Sequence, residues 1–296
     1  GHFLSWLSSD FTVFLIGQVI AAAAGGSLYS LALTILSDGA NPERGFGLSL
    51  AAQVSFQVAG MIWLPGLIAG MGLDGVIELF LLMSGLALGS MVLLPKRGRA
   101  VEDHHSLHAI FRPVSLLALL GCLFFFLNVG CFWAYIELLA TDRGLSPDAI
   151  GQVLAVGVAV GLPGALLASW LGERVGLVAP LALGALGTVM SVVLLTLDFA
   201  ALEFLIALAI YNFAWNFSLA FQYAAVARLD RTGSSVAVAP AFHGLGAAIG
   251  PSMAGLTFEN LGYASVTMLA GLAVTASFGL FYLGFRLNRD EIGVGA

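Results

Sequence analysis

The sequence predicts an all-α polytopic membrane protein. Hydrophobic residues make up 59% of the 296 positions and charged residues only 9%, against roughly a quarter charged in soluble domains. The apolar residues gather into stretches of about 20, the length a helix needs to cross a bilayer. Glycine is abundant at 37 residues, as expected where helices pack closely in lipid. The pairs Gly66/Gly70, Gly85/Gly89, Gly157/Gly161 and Gly246/Gly250 have the small-xxx-small spacing of such contacts.

Taken in order, the chain yields nine spans. His2 to Ser9 is too short to cross, and reads as the tail of a helix lost with an N-terminal segment. Asp10 suits the N-cap of the first complete span, Phe11 to Leu36. A polar loop, Ser37 to Arg44, leads to the second span, Gly47 to Ala69, which Pro65 should kink. A short turn from Gly70 to Gly75 precedes the third, Val76 to Leu94. Residues 96–113 form the longest polar stretch and read as a linker between two bundles, 1–95 and 114–296. Val114 to Leu139 follows, then Ile150 to Trp170, entered by Ser146-Pro147-Asp148 as N-cap and first helical proline. Pro163 should bend that span. The last four are Pro180 to Leu197, Leu202 to Ala227, Val236 to Leu256 and Ala264 to Phe285.

Charge tests this map. Alternating sides from span to span puts ten of the eleven Lys and Arg residues in one set of loops, leaving only Arg143 in the other. The positive-inside rule then places the linker and the C-terminus in the cytoplasm, with the protein in the inner (cell) membrane. No basic patch suggests nucleic acid. No Gly-x-x-x-x-Gly-Lys-Ser/Thr loop is present, which disfavours ATP-driven work by this chain. Cys122 and Cys131 lie nine residues apart in one span, on opposite helix faces, so a bond between them is excluded by geometry.

An internal repeat follows from Gln53, Gly60 and Gly72 against His243, Gly250 and Gly262. All three pairs share an offset of 190. Asp38 and Asp230 fit with a two-residue gap. Three spans precede the linker and six follow it. That layout resembles the major facilitator superfamily of transporters. Leu171-Gly-Glu-Arg-Val-Gly176 resembles the family's signature loop in its second-half copy, with Leu177 where a basic residue is usual. Asp38 with Pro42-Glu-Arg44-Gly45 resembles the loop between the family's fourth and fifth helices. Gly244-Leu-Gly-Ala-Ala-Ile-Gly-Pro251 followed by Gly255 resembles its eleventh helix. The resemblance implies a two-bundle transporter fold with helices four to twelve of twelve present. The cavity-lining helices among these would be Phe11–Leu36, Val114–Leu139 and Leu202–Ala227.

The last of these carries an unusual polar stripe. At 100° per residue, Asn212, Trp215, Asn216, Leu219, Gln222 and Tyr223 share one side. Amides at membrane depth face other helices or a watery cavity. Asn128 and Tyr135 share a face of Val114–Leu139, and Gln18 and Tyr29 share a face of Phe11–Leu36. The expected substrate cavity is therefore Asn128, Tyr135, Asn212, Trp215, Asn216, Gln222 and Gln18, suited to a neutral or amphipathic solute. Interhelical bonding of these amides is the plainer alternative. Glu137 and His243 are candidates for proton coupling, with an interfacial acid and a packing histidine as their plainer readings. Glu173, Arg174, Asp38 and Arg44 are candidates for a cytoplasmic gate, with solvated loop charges as the alternative. His104 and His108, one turn apart if helical, are read as solvated linker rather than a metal site. No metal and no cofactor is expected.

The function expected is secondary active transport by alternating access in a monomer. Lipid, a small solute and protons are its partners, and it is not an enzyme. The rivals are a membrane-embedded enzyme acting on lipid and a non-transporting receptor on the same scaffold. Substrate, direction and coupling ion are open at this stage.

Overall fold

The structure, a computed structural model, describes residues 1–7, 10–94, 110–230 and 232–293. Helix α1 is His2–Leu7, α2 Phe11–Ser37, α3 Pro42–Ser90, α4 Pro113–Asp142, α5 Pro147–Ala159, α6 Gly161–Leu171, α7 Val178–Leu194, α8 Ala201–Leu229, α9 Ser234–Leu261 and α10 Tyr263–Gly293. Short 3-10 turns follow α3 and α6. The histidines of the linker, and Arg231, lie outside the described residues.

The caps read from sequence hold. The Asp10 carboxylate accepts the amides of Thr12 and Val13 at 2.8 and 3.1 Å, and Ser146 accepts that of Ala149 at 3.3 Å. The span from Pro42 to Leu93 is 52 residues long, about 78 Å at 1.5 Å per residue, far beyond a ~30 Å hydrocarbon core. It is long enough to cross twice, and the backbone breaks at Gly72 with φ 65° and ψ −156°. That is the turn expected between Gly70 and Gly75. Pro65 stays within regular helix. The other interruption is between α5 and α6 at Val160. There Pro163 cannot donate to the carbonyl four residues back.

The sequence repeat has a backbone counterpart. Gly262 ends α9 with φ 72° and ψ −167°, the conformation of Gly72, its partner at the 190 offset. Side chains with a Cβ avoid that region. Asp38 and Asp230 each close a helix, α2 and α8. Asp230 also accepts from the Thr232 and Ser235 amides at 2.9 and 2.8 Å and from the Thr232 hydroxyl at 2.6 Å. Burial works to raise this carboxyl, but those hydrogen bonds outweigh it and hold it below its ordinary range.

In the second half, α4 packs along α9 and α10, and α8 is wrapped by α5, α6 and α7. Glycines let α4 and α9 meet backbone to backbone. A Cβ at Gly246 would sit 2.2 Å from the Leu123 carbonyl oxygen, and one at Gly250 would sit 2.7 Å from that of Leu127. Pro251 has no N–H to bond the Ala247 carbonyl, and Gly130 of α4 packs against that oxygen. Cys131 donates its thiol to the Gly250 carbonyl at 3.2 Å, and both cysteines are free and buried. The first half meets the second mainly through α2 on α9 and the start of α3 on α6 and α8. Between Val54 and Gly75 no residue of α3 is buried.

Gly246→Val should lower stability by about 1–3 kcal/mol or prevent folding, since the clash is with backbone that cannot move aside. Gly244→Ala, where nothing lies within 4 Å, should be close to neutral. Thermal unfolding of the two variants in detergent checks the contrast. Equal melting would mean that α4 and α9 do not touch this way.

Candidate functional site

A cavity of about 450 Å³ lies between the halves, walled by α2, α3, α4, α8 and α9. Its polar lining is Tyr29, Gln53, Gln57, Asn216, Tyr223 and His243, and its aromatic lining includes Phe126 and Trp215. Among the described residues no Asp, Glu, Lys or Arg lines it. Helix α8 supplies Trp215, Asn216, Leu219 and Tyr223 at three- and four-residue spacing, one continuous face.

One hydrogen-bonded chain crosses the wall. The hydroxyls of Tyr29 and Tyr223 are 3.0 Å apart, and the Tyr223 hydroxyl lies 3.1 Å from Nδ1 of His243. Three helices, α2, α8 and α9, are joined by it. The His243 ring stacks on Phe126 with centroids 4.1 Å apart. Its Nε2 is buried and has no hydrogen-bond partner among the described residues. Trp215 packs edge-on to Phe126 at 6.4 Å and beside Trp133 at 6.3 Å. The indole nitrogens of both tryptophans are likewise buried without partners among the described residues.

The stripe read from sequence divides in the structure. Trp215 and Asn216 line the cavity. Asn216 also donates to the Asn212 carbonyl at 3.0 Å, and Asn212 donates to that of Leu208 at 2.9 Å. The Asn216 amide fills the notch at the α5–α6 break, where a Cβ on Gly161 would be 2.5 Å from its nitrogen. Asn212 and Gln222 are buried and do not line the cavity. Gln222 has only a long contact, 3.5 Å, to the Ser218 hydroxyl. Asn128 is buried and donates to the Tyr211 hydroxyl at 3.1 Å. Tyr135 is half-buried against Phe258, with centroids 5.4 Å apart. Gln18 donates to Ser5 at 3.1 Å and ties α2 to α1. Glu137 is exposed.

The 190 offset singles out two further wall residues. Gln53 and His243, paired by the repeat, face the same cavity from opposite halves. Gln57 is one turn beyond Gln53 and carried no signal of its own in the sequence.

The halves close on each other at the end of the helices where α2 stops and α3 starts. Glu43, 1% exposed, is paired with Arg228, whose side chain is 47% exposed. Sequence reasoning placed Glu43 in a polar loop and missed it. The Ser169 hydroxyl donates to the Arg44 carbonyl at 3.2 Å. A Cβ on Gly47 would meet Ser169 backbone at 2.6 Å, so α3 and α6 are in close contact. Ser30 donates to the Ala237 carbonyl, a bond from α2 to α9. Of the predicted gate residues, Arg174 donates to the Trp170 carbonyl at 3.2 Å and lies over that indole, while Glu173 and Arg44 are exposed. Asp38 is half-buried at the end of α2.

Comparison with curated proteins gives no match. Among solved structures, the chain is similar to the crystal structure of a bacterial homologue of the iron transporter ferroportin in an outward-facing state. The TM-score is 0.56 at 15% identity, over 82% of this chain and 65% of that one. The chain therefore spans a little under two thirds of that relative's length, and the likeness is one of fold. Residues 1–239 match the family described as Major Facilitator Superfamily. With four fifths of the sequence inside that match, and the helical fold in agreement, the chain belongs to the Major Facilitator Superfamily.

Proposed function

We propose that this protein is a secondary transporter of a small neutral or amphipathic organic solute, working by alternating access. The observation that carries the reading is the cavity between the halves, walled by aromatic faces, amides, phenols and the His243 imidazole, with no Asp, Glu, Lys or Arg among the described residues. Such a lining holds a solute by stacking and hydrogen bonds. A site at the interface of two bundles is where a rocking motion changes which side has access. A thermal-shift screen of solutes on the purified protein supplies the substrate. Trp215→Ala should then reduce kcat/KM for uptake about tenfold or more, by loss of an aromatic wall, with unfolding temperature little changed. Full uptake by a folded Trp215→Ala protein would remove the cavity from the transport path.

Proton coupling through His243 belongs to the same reading. Its imidazole ends the chain from Tyr29 through Tyr223 and faces the cavity from α9. Glu137, at the rim of α4, is the weaker candidate because it is exposed. An imposed pH gradient should drive uptake into vesicles, and His243→Gln should uncouple uptake from it. Uptake indifferent to the gradient in the parent protein would exclude coupling, whatever the solute.

The end bearing Glu43 and Arg228 is assigned to the cytoplasm, and their ion pair to a gate that closes the cavity there. The support is the segregation of basic residues and the burial of Glu43. Breaking a buried pair leaves an uncompensated charge. Ala40→Cys should react with an impermeant maleimide in inside-out vesicles only. Gln53→Cys, in the cavity wall, should react from that side about tenfold faster when Glu43→Gln is added. Reaction of Ala40→Cys from the opposite side would invert the topology. An unchanged Gln53→Cys rate would dismiss the gate.

A further inference from the structure

A second cavity, of about 370 Å³, opens beside the seam between α3 and α6, away from the solute cavity. Helix α3 begins at this end and α6 finishes here, so the two run in opposite directions past one groove. Each presents the same ladder. On α3, Arg44 is followed one turn deeper by Leu48. On the α6 side, Arg174 is preceded one turn deeper by Trp170 and two turns deeper by Leu166. The apolar rungs are open: Leu48 is 50%, Leu166 45% and Trp170 67% exposed. Two cationic residues thus line one groove with apolar side chains, where α3 starts and α6 ends. Aromatic residues favour the ends of membrane spans.

The charges are poised rather than spent. The Arg44 guanidinium makes no hydrogen bond or ion pair among the described residues, whereas its backbone is fixed by Asn41 at 3.0 Å and by Ser169. Arg174 uses one Nη for the Trp170 carbonyl and keeps further donors. Glu173 lines the same groove, so two cations face one anion and the groove is net positive. The complement is a molecule with an anionic phosphate at one end and an alkyl chain at the other.

We propose that this groove binds an anionic phospholipid, its phosphate between Arg44 and Arg174 and an acyl chain along Leu48, Trp170 and Leu166. Because the groove straddles α3 of the first half and α6 of the second, the lipid bridges the halves at the closed end. Neither the solute nor the proton reading is needed for it.

The test is native mass spectrometry of the delipidated full chain, titrated with phosphatidylglycerol or phosphatidylcholine of identical acyl chains. Phosphatidylglycerol should bind about tenfold tighter than phosphatidylcholine. Arg44→Gln breaks no side-chain hydrogen bond or ion pair among the described residues, and it should cut that preference several-fold. Arg44→Gln with Arg174→Gln should abolish the preference, and the corresponding double Lys variant should keep most of it. Excess glycerol phosphate should not displace the lipid, since the acyl chain is part of the fit. Equal binding of the two lipids, or an unchanged preference in Arg44→Gln, would overturn the proposal. Displacement by glycerol phosphate alone would reassign the groove to a soluble phosphate and overturn it as well.

Discussion

The contact between the two halves depends on a buried carboxylate. Glu43, at 1% exposure, pairs with Arg228 in the seam, and leaving a buried charge without its partner costs several kcal/mol. Arg228 answers it from the last turn of α8. Its position also suits a helix C-terminus, where a cation meets the negative end of the helix dipole. Around that pair the hydrogen bonds between the halves are uncharged: Ser169 to the Arg44 carbonyl, Ser30 to the Ala237 carbonyl and Tyr29 with Tyr223, with Gly47 packed against Ser169. The Ser169 and Gly47 contacts need the start of α3 to lie flush on α6, and the ion pair holds it against α8. Between Val54 and Gly75 no residue of α3 is buried, and Gln57 on that stretch faces the cavity.

The second half is built on another principle. Its helices approach through absent side chains rather than paired charges. Gly130, Gly246 and Gly250 admit carbonyl oxygens where any Cβ would collide, so dispersion and weak hydrogen bonds act over short distances along the whole α4–α9 contact. Helix α8 is held on several sides at once: Gly164 of α6 against the Phe213 backbone, Gly157 of α5 against Leu208, and Gly184 of α7 against Ser218. A helix buried nearly all round has little to gain from amphipathicity.

That burial explains what could and could not be read in advance. The break near Gly72 and the cap at Asp10 follow from local chemistry and stand in the structure, where seven helices are long and apolar enough to cross a membrane and Val178–Leu194 is shorter. The repeat was legible because one backbone conformation, shared by Gly72 and Gly262, demands glycine in both halves. The polar face of α8 was legible only in part. A periodic pattern gives a direction on the helix and not the neighbour met there. Trp215 and Asn216 reach the cavity, while Asn212 and Gln222, on the same nominal side, end inside the protein. Asn128 was read beside Tyr135, yet its partner is Tyr211, eighty-three residues away, which no local pattern announces. Glu43 was hidden for the opposite reason. Among Pro42, Arg44 and Gly45 it has the composition of a solvated loop, and only the arrival of Arg228 makes it interior.

The glycine seam of α4 and α9 has a mechanical side. Two helices separated by a layer of side chains slide a little as rotamers adjust, and that compliance lets a bundle deform by shear. Where backbone rests on backbone no such layer exists, and displacement along the seam drives atoms into contact within tenths of an ångström. The Ala247 carbonyl, left without a helical donor by Pro251 and capped by Gly130, removes the last slack. Deformation is therefore directed away from this seam, toward the surfaces where side chains alone mediate contact. The boundary that holds Glu43 and Tyr29 is mixed, with backbone close to backbone where Gly47 meets Ser169 and side chains mediating contact elsewhere.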